Sequence, residues 1–182
     1  MKLGFDFDGV ITNPFDLKRQ WILDNIGIEV IPEQVSHNKT AVIGKDAYER
    51  MTLDIYASDL ALKNTIRPEA IVVMASLKRR GNEIYVITAR PNNQARYARQ
   101  LLAMHNVPHD CFYNTEYGPK DKVCRNLGVD VFVDDSQSTL LEISVVPKIK
   151  LIFFNVFREE VAPGLISVSS WEELERLVCN MC

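Results

Sequence analysis

Two aspartates stand one residue apart inside an apolar run near the amino terminus, LGFDFDGVIT over residues 3–12. Leu3, Phe5, Phe7, Val10 and Ile11 read as a buried strand and its exit, yet Asp6 and Asp8 lie among them. Burying an unpaired carboxylate is costly, and two close together repel each other. At about 4 Å and an effective dielectric of 20, that repulsion is roughly 4 kcal/mol. Two later apolar segments also end in reactive side chains. EIYVIT runs into Thr88-Ala89-Arg90, and VFV runs into Asp134-Asp135-Ser136, with Lys120 and Lys122 of GPKDKVCRN just ahead of the second. Four carboxylates, a hydroxyl and a lysine brought together make a hard-oxygen site of the kind Mg²⁺ takes. The ion offsets the mutual repulsion, the lysine removes more of it, and such a site is fit for phosphoryl transfer.

The elements that would hold these residues can be traced from periodicity. The sequence predicts strands over 2–8, 83–88, 130–133 and 150–154, with a very short one at 111–113. Helices are expected over 15–26, 46–63, 68–80, 92–105, 120–127 and 137–144, while 28–45 reads as irregular. Arg67-Pro68-Glu69 places proline in a first helical turn. Ser170 with Glu173 three residues on forms a capping box that opens the last helix. Short apolar strands alternating with helices imply an α/β fold with a doubly wound, mostly parallel sheet flanked by helices, which binds ligands beyond the carboxyl ends of its strands. Asp6 and Thr88 lie 82 positions apart, about twice what a strand–helix connection requires. Residues 15–65 therefore read as a small helical cap inserted into a core formed by 1–14 and 66–182.

Composition narrows the functional classes. The chain has 182 residues, 47% of them hydrophobic, and a formal net charge of −3 from 21 basic and 24 acidic side chains. That balance speaks against a nucleic-acid polymer or an anionic membrane as partner. No apolar run reaches the roughly 20 residues that a membrane span needs, and no secretory signal is visible. The cysteines, Cys111, Cys124, Cys179 and Cys182, read as thiols kept reduced in the cytoplasm, with a C-x-x-C at the tail of undetermined role. Neither a P-loop nor a G-x-G-x-x-G is present, so triphosphate hydrolysis by a P-loop and dinucleotide redox chemistry are poor readings.

Asp6-x-Asp8-Gly9-Val10, a strand ending in Thr88, Lys122, and Asp134-Asp135 together resemble the four motifs of the haloacid dehalogenase-like phosphatase superfamily. The likeness spans the predicted core, in the right order. It implies a Rossmann-like core and a Mg²⁺-dependent phosphatase working through an aspartyl-phosphate. Asp6 would be the nucleophile. Asp8 would protonate the leaving oxygen and then activate water. Thr88 would hydrogen-bond the transferring group, and Lys122 would hold that group beside Asp6. Asp135, Asp6 and the backbone oxygen of Asp8 would bind Mg²⁺, with Asp134 acting through a metal-bound water. Lys120 is a rival for the lysine role; the K-D-K pattern ahead of Asp-Asp resembles the deoxyribonucleotidase branch and favours Lys122.

The run ITARPNNQARYARQLLAMHNVPHDCFYN, with KDK and VFVDDS, is similar to the 5′(3′)-deoxyribonucleotidases and their bacterial and phage relatives. That likeness implies a nucleoside monophosphate substrate, with another small phosphoester such as a sugar phosphate as the alternative. Phe15, Trp21, Tyr48 and Tyr56 are candidate base-stacking residues, and Ala89 and Arg90 candidate substrate contacts. Arg90 could equally pair with an acid. His37, Lys39 and Arg50 are polar cap residues that would either face the substrate or lie in solvent. A phospho-accepting signalling protein gathers similar residue types, but there the acidic pair comes first and the acceptor later, the reverse of the order here. The expected protein is a monomer or homodimer in the cytoplasm.

Overall fold

The structure, a computed structural model, describes residues 1–36 and 39–181, with the backbone alone at Lys39 and Thr40. Six strands form one parallel sheet among these residues: β1 (Lys2–Phe5), β4 (Glu83–Thr88), β5 (Cys111–Asn114), β6 (Val131–Asp134), β7 (Lys150–Phe154) and β8 (Ile166–Val168). Their order is β5-β4-β1-β6-β7-β8, which places the first strand centrally between the strands ending in Thr88 and Asp134. The remaining two strands, β2 (Thr12–Asn13) and β3 (Thr65–Ile66), pair antiparallel as a short ribbon.

Alternation along each strand supplies a core on both faces. Leu3, Phe5, Ile84, Val86, Val131, Val133, Ile152 and Phe154 pack with α5 (Pro68–Arg79), α6 (Asn92–Met104) and α9 (Trp171–Cys179). Tyr85, Ile87, Phe132, Leu151 and Phe153 face the other way, toward α7 (Asp121–Leu127) and α8 (Gln137–Ile143). Strands covered on both sides read as continuous apolar runs, as these do. The Trp171 indole donates to the Val10 carbonyl at 3.2 Å, tying the last helix to the loop after β1.

Between β2 and β3 lie α1 (Phe15–Ile26), α2 (Pro32–Ser36), α3 (Lys39–Ile43), α4 (Lys45–Tyr56) and a 3-10 helix (Asp59–Lys63). This segment has its own apolar cluster of Phe15, Trp21, Ile22, Val30, Val35, Met51, Ile55 and Tyr56.

Several sequence expectations differ in extent. The first strand ends at Phe5 rather than residue 8, because the chain turns: the Thr12 N–H and hydroxyl both donate to the Phe7 carbonyl, at 2.9 and 3.2 Å. The helix expected over 46–63 breaks after Tyr56, where the Ser58 hydroxyl takes the Leu60 N–H and starts the 3-10 turn, a serine competing locally with the helix ladder. The stretch expected to be irregular, 28–45, contains α2 and α3. Ser170 caps α9 as expected, but the Glu173 carboxylate reaches the Ser169 N–H instead of its own cap residue.

The cysteines differ sharply in setting. Cys111 is exposed, Cys179 half-buried and Cys124 fully enclosed on the inner face of α7; Cys182 lies outside the described residues. Burial pushes the Cys124 thiol up to about 12, against the pull of Lys120. Thiolate is the reactive form. Iodoacetamide near neutral pH is therefore expected to alkylate Cys111 and spare Cys124 until the chain unfolds, as peptide mass mapping would read.

Candidate functional site

The carboxyl ends of β1, β4 and β6 open into a cavity of about 700 Å³, walled on the far side by the helical segment. Asp6 follows β1, and its N–H still bonds to Val133 across the sheet at 2.9 Å. Thr88 ends β4, almost fully buried, and its hydroxyl accepts the Arg90 N–H at 3.3 Å. Asp134 ends β6, and Asp135 begins the turn that follows. The topology thus delivers Asp6, Thr88, Asp134 and Asp135 to one edge from positions far apart in sequence.

The lysine hydrogen-bonded to them is Lys120, the rival that the sequence reading placed behind Lys122. Lys120 Nζ donates to Asp6 Oδ1 at 2.6 Å and to Asp134 Oδ2 at 2.8 Å, and the residue is 5% exposed. Lys122 is exposed on α7. The physical reason is helical phase. Cys124 is the buried side chain of α7, and Lys120, four residues earlier, shares its face, whereas Lys122 projects from the opposite side.

The charges explain each other. Burial raises the Asp6 carboxyl to about 7; Lys120 pulls it down, and Asp134 and Asp8 push it further up. Burial also raises Asp134, against Lys120. For Lys120, burial opposes the charge, but Asp134 and Asp6 more than overcome it and hold the ammonium protonated. One oxygen each of Asp6, Asp134 and Asp135 lie within 4.8 Å of one another. Two cations, Lys120 and Arg90, are hydrogen-bonded to three of the four carboxylates, Asp6, Asp134 and Asp8. A divalent cation is the natural complement to such a donor set, and the hard oxygens fit Mg²⁺.

Asp8 is held differently. Arg90 forks its carboxylate, Nε to Oδ2 at 2.8 Å and Nη2 to Oδ1 at 2.7 Å. The guanidinium also lies over two rings, Phe7 at 5.0 Å from the ring centre and Tyr56 at 4.2 Å. Of the two roles the sequence left open for Arg90, acid pairing is realised, though inside the cavity and not on the surface.

Gly9 follows with φ +83°, and any Cβ there would collide with the Asp135 carboxylate. Arg67 Nη2 donates to the Gly9 carbonyl at 3.2 Å, a clamp across 58 positions that no local pattern announces.

Among the candidate stacking residues, Phe15, Tyr48 and Tyr56 line the cavity, as does Ala89. Trp21 does not: it is buried inside the helical segment, its indole donating to Asp54 at 3.0 Å with Arg50 stacked over its ring at 5.3 Å. The helical segment hides its largest apolar side chain in its own core, while Arg50 itself stays exposed. His37 and the Lys39 side chain lie outside the described residues. Lining residues that the sequence reading passed over include Lys18, Ser36, Thr52, Gln94 and Tyr117. Lys18 had a legible signal, since it falls on the apolar face of α1 with Phe15, Trp21 and Ile22.

The same architecture recurs in solved proteins. A hydrolase from Deinococcus radiodurans R1 described as of the HAD (haloacid dehalogenase-like) family, solved with bound phosphate and sodium, superposes with a TM-score of 0.68 at 13% identity, over 98% of this chain and 95% of that one. A HAD phosphatase from Thermococcus onnurineus superposes at 0.63 with 17% identity, over 98% of both chains.

This chain has the HAD fold.

In sequence, a protein from Oceanobacillus iheyensis whose name proposes a nucleotidase activity is 28% identical over 155 residues, covering 77% of this chain and 79% of that protein. No family model matches the chain. Within the HAD fold as seen here, Asp6, Thr88, Lys120, Asp134 and Asp135 form one contiguous floor, Arg90 and Asp8 one wall, and the helical segment the other.

Proposed function

We propose that this chain is a Mg²⁺-dependent phosphomonoester hydrolase acting through an aspartyl-phosphate on Asp6, with residues 15–65 as a cap over a core of 1–14 and 66–182. A nucleoside monophosphate is the leading substrate, supported by the nucleotidase name of the Oceanobacillus relative. The observation that carries the reading is Lys120 bridging Asp6 and Asp134 beside Asp135, at the floor of a cavity large enough for a small organic phosphate.

An Asp6 carboxylate oxygen attacks phosphorus, and the bond from phosphorus to the leaving alcohol breaks. Asp8 gives its proton to the departing oxygen, then takes one from the water that attacks the phospho-aspartate. That attack frees inorganic phosphate and restores Asp6. Lys120 stays charged and binds both the carboxylate and the phosphoryl oxygens. Thr88, whose hydroxyl accepts the Arg90 N–H, donates its own hydrogen to the transferring group. The Arg90 fork favours ionised Asp8, the form that accepts the proton from water. An incoming phosphoryl group competes for the guanidinium, and the weakened pair lets Asp8 carry a proton for the first step. Asp6, Asp135 and the backbone oxygen of Asp8 would hold Mg²⁺, with Asp134 behind them. Once bound, the ion supplies positive charge to carboxylates and phosphoryl oxygens together. The cap excludes water during transfer. This reading carries with it a cytoplasmic monomer or homodimer and a small phosphorylated substrate.

Phosphate release from a panel of nucleoside monophosphates and sugar phosphates, with Mg²⁺ and with chelator, tests the proposal. Turnover of nucleotides that stops on chelation supports it. Turnover of sugar phosphates alone replaces the substrate, and release unaffected by chelation removes the metal. Gly9→Ala bears on the metal separately. Its Cβ must displace Asp135, so Mg²⁺ affinity is expected to fall roughly 10- to 100-fold, as when groups that orient ligands are lost. The midpoint of a Mg²⁺-dependent thermal-stabilisation titration would report it.

A further inference from the structure

The loop between β5 and α7 carries two successive residues in the left-handed region, neither of them glycine or asparagine: Glu116 at φ 52° and Tyr117 at φ 64°. A side chain there crowds its own backbone, and such residues persist where the surrounding structure holds them, often at functional sites. Here the end of β4 does the holding. The Thr115 N–H donates to the Thr88 carbonyl at 3.0 Å, and the Tyr117 N–H to the Ala89 carbonyl at 2.7 Å. The Asn92 amide donates to the Glu116 carboxylate at 2.6 Å. Gly118 closes the turn, where a Cβ would meet the Thr115 carbonyl oxygen at 2.9 Å. The strained backbone aims one ring. Tyr117 is 69% exposed, yet it lines the cavity. Its hydroxyl accepts from the amide of Gln94 at 3.2 Å, and Gln94 is buried. The ring is thus fixed at its backbone and at its tip, with most of its surface accessible.

Position gives the ring its use. On the proposed function the phosphoryl group lies at the floor beside Asp6 and Lys120, and the sheet closes the space beneath. The leaving alcohol must then extend outward, toward the rim where Tyr117 stands. Tyr117 precedes Lys120 by three residues, so their Cα atoms are at most about 11 Å apart, within the compass of one small ester. An ordered ring that needs no rearrangement loses little entropy when a second ring stacks on it. We propose that Tyr117 is a specificity-determining residue whose ring stacks on a planar base carried by the leaving alcohol. Such a platform tolerates any base, because every base has a π-face. This rests on the hydrolase reading for the orientation of the substrate, and deepens it by assigning recognition of the base to a loop of the core.

Binding measured by calorimetry in the Asp6→Asn protein with Mg²⁺ separates recognition from turnover. Thymidine 5′-monophosphate and deoxyadenosine 5′-monophosphate are each compared with 2-deoxyribose 5-phosphate, which has the same sugar and phosphate without a base. At least one nucleotide is expected to bind roughly tenfold more tightly than the sugar phosphate, the scale of one base stacked on an aromatic side chain. Tyr117→Asn removes the ring and suits the left-handed backbone, so it is expected to fold and to lose the preference. Tyr117→Phe keeps the ring and is expected to keep the preference. If Tyr117→Asn fails to fold, Tyr117→Gly takes its place. Three results each overturn the assignment: no preference for either nucleotide, a preference that survives in Tyr117→Asn, or affinity for all three ligands falling alike in that variant. A preference lost equally in Tyr117→Phe also overturns it, since the hydroxyl and not the ring face would then carry recognition. Wild-type phosphate release is scored separately: a chain that prefers nucleotides through Tyr117 and hydrolyses nothing overturns the hydrolase reading and not the role of Tyr117.

Discussion

Asp6→Asn is expected to lower phosphate release roughly 10⁴-fold or more, the scale seen when a catalytic nucleophile is removed. The amide is isosteric, and its oxygen can still accept from Lys120, so the 2.6 Å contact has a substitute. What it lacks is the charge that attacks phosphorus. Stability should move the other way. Burial holds the Asp6 carboxyl up at about 7, against an ordinary value of 3.8. The folded chain therefore keeps a proton that the unfolded chain has released, and stability falls as pH rises across that interval. Asparagine has no such proton to lose. In chelator, thermal unfolding of the Asp6→Asn protein is expected to depend less on pH between about 4 and 7 than that of the wild type. It should also be the more stable protein at the upper end. An Asp6→Asn protein that still turns over removes Asp6 as nucleophile. One that loses both activity and cooperative unfolding makes Asp6 structural.

Much of this arrangement is legible in the sequence, for identifiable reasons. β4 and β7 have the predicted bounds, because β-branched and aromatic runs buried on both faces stop abruptly at polar residues. α1 is as predicted, closed by Gly27 in the left-handed conformation. The strand-end logic gathered Asp6, Thr88, Asp134 and Asp135 because topology alone fixes where strands finish. What escaped was of two kinds. The β2–β3 ribbon has two residues per strand, too few for any period to register. The pairing of Arg90 with Asp8, and of Trp21 with Asp54, depends on side chains meeting across the fold, which no local pattern encodes. Lys18 lies between these cases. Its place on an apolar face was readable, but the cavity that gives that place meaning was not.

Lys120→Met and Lys122→Met are expected to behave as opposites, and the comparison bears on the site as a whole. Lys120 is the cation hydrogen-bonded to both Asp6 and Asp134, two of the most buried acids in the chain. Its loss leaves them facing Asp135 without an ammonium between them. Breaking a buried pair in this way costs about 3–5 kcal/mol, to be read as a fall in the denaturant midpoint in chelator. Activity should drop roughly 10²- to 10³-fold, as when one preorganised donor to a transition state is removed. Saturating Mg²⁺ is expected to restore part of the stability, since a divalent ion can neutralise the same carboxylates. It should restore little of the activity, because the ion cannot also place an ammonium across Asp6 and the phosphoryl oxygens. Lys122 is exposed on the opposite face of α7, so Lys122→Met should change stability by no more than about 0.5 kcal/mol and leave turnover intact. If instead Lys122→Met were inactive and Lys120→Met active, the ion-paired lysine would be a scaffold for the acids, and the phosphoryl group would have to bind away from the floor described here.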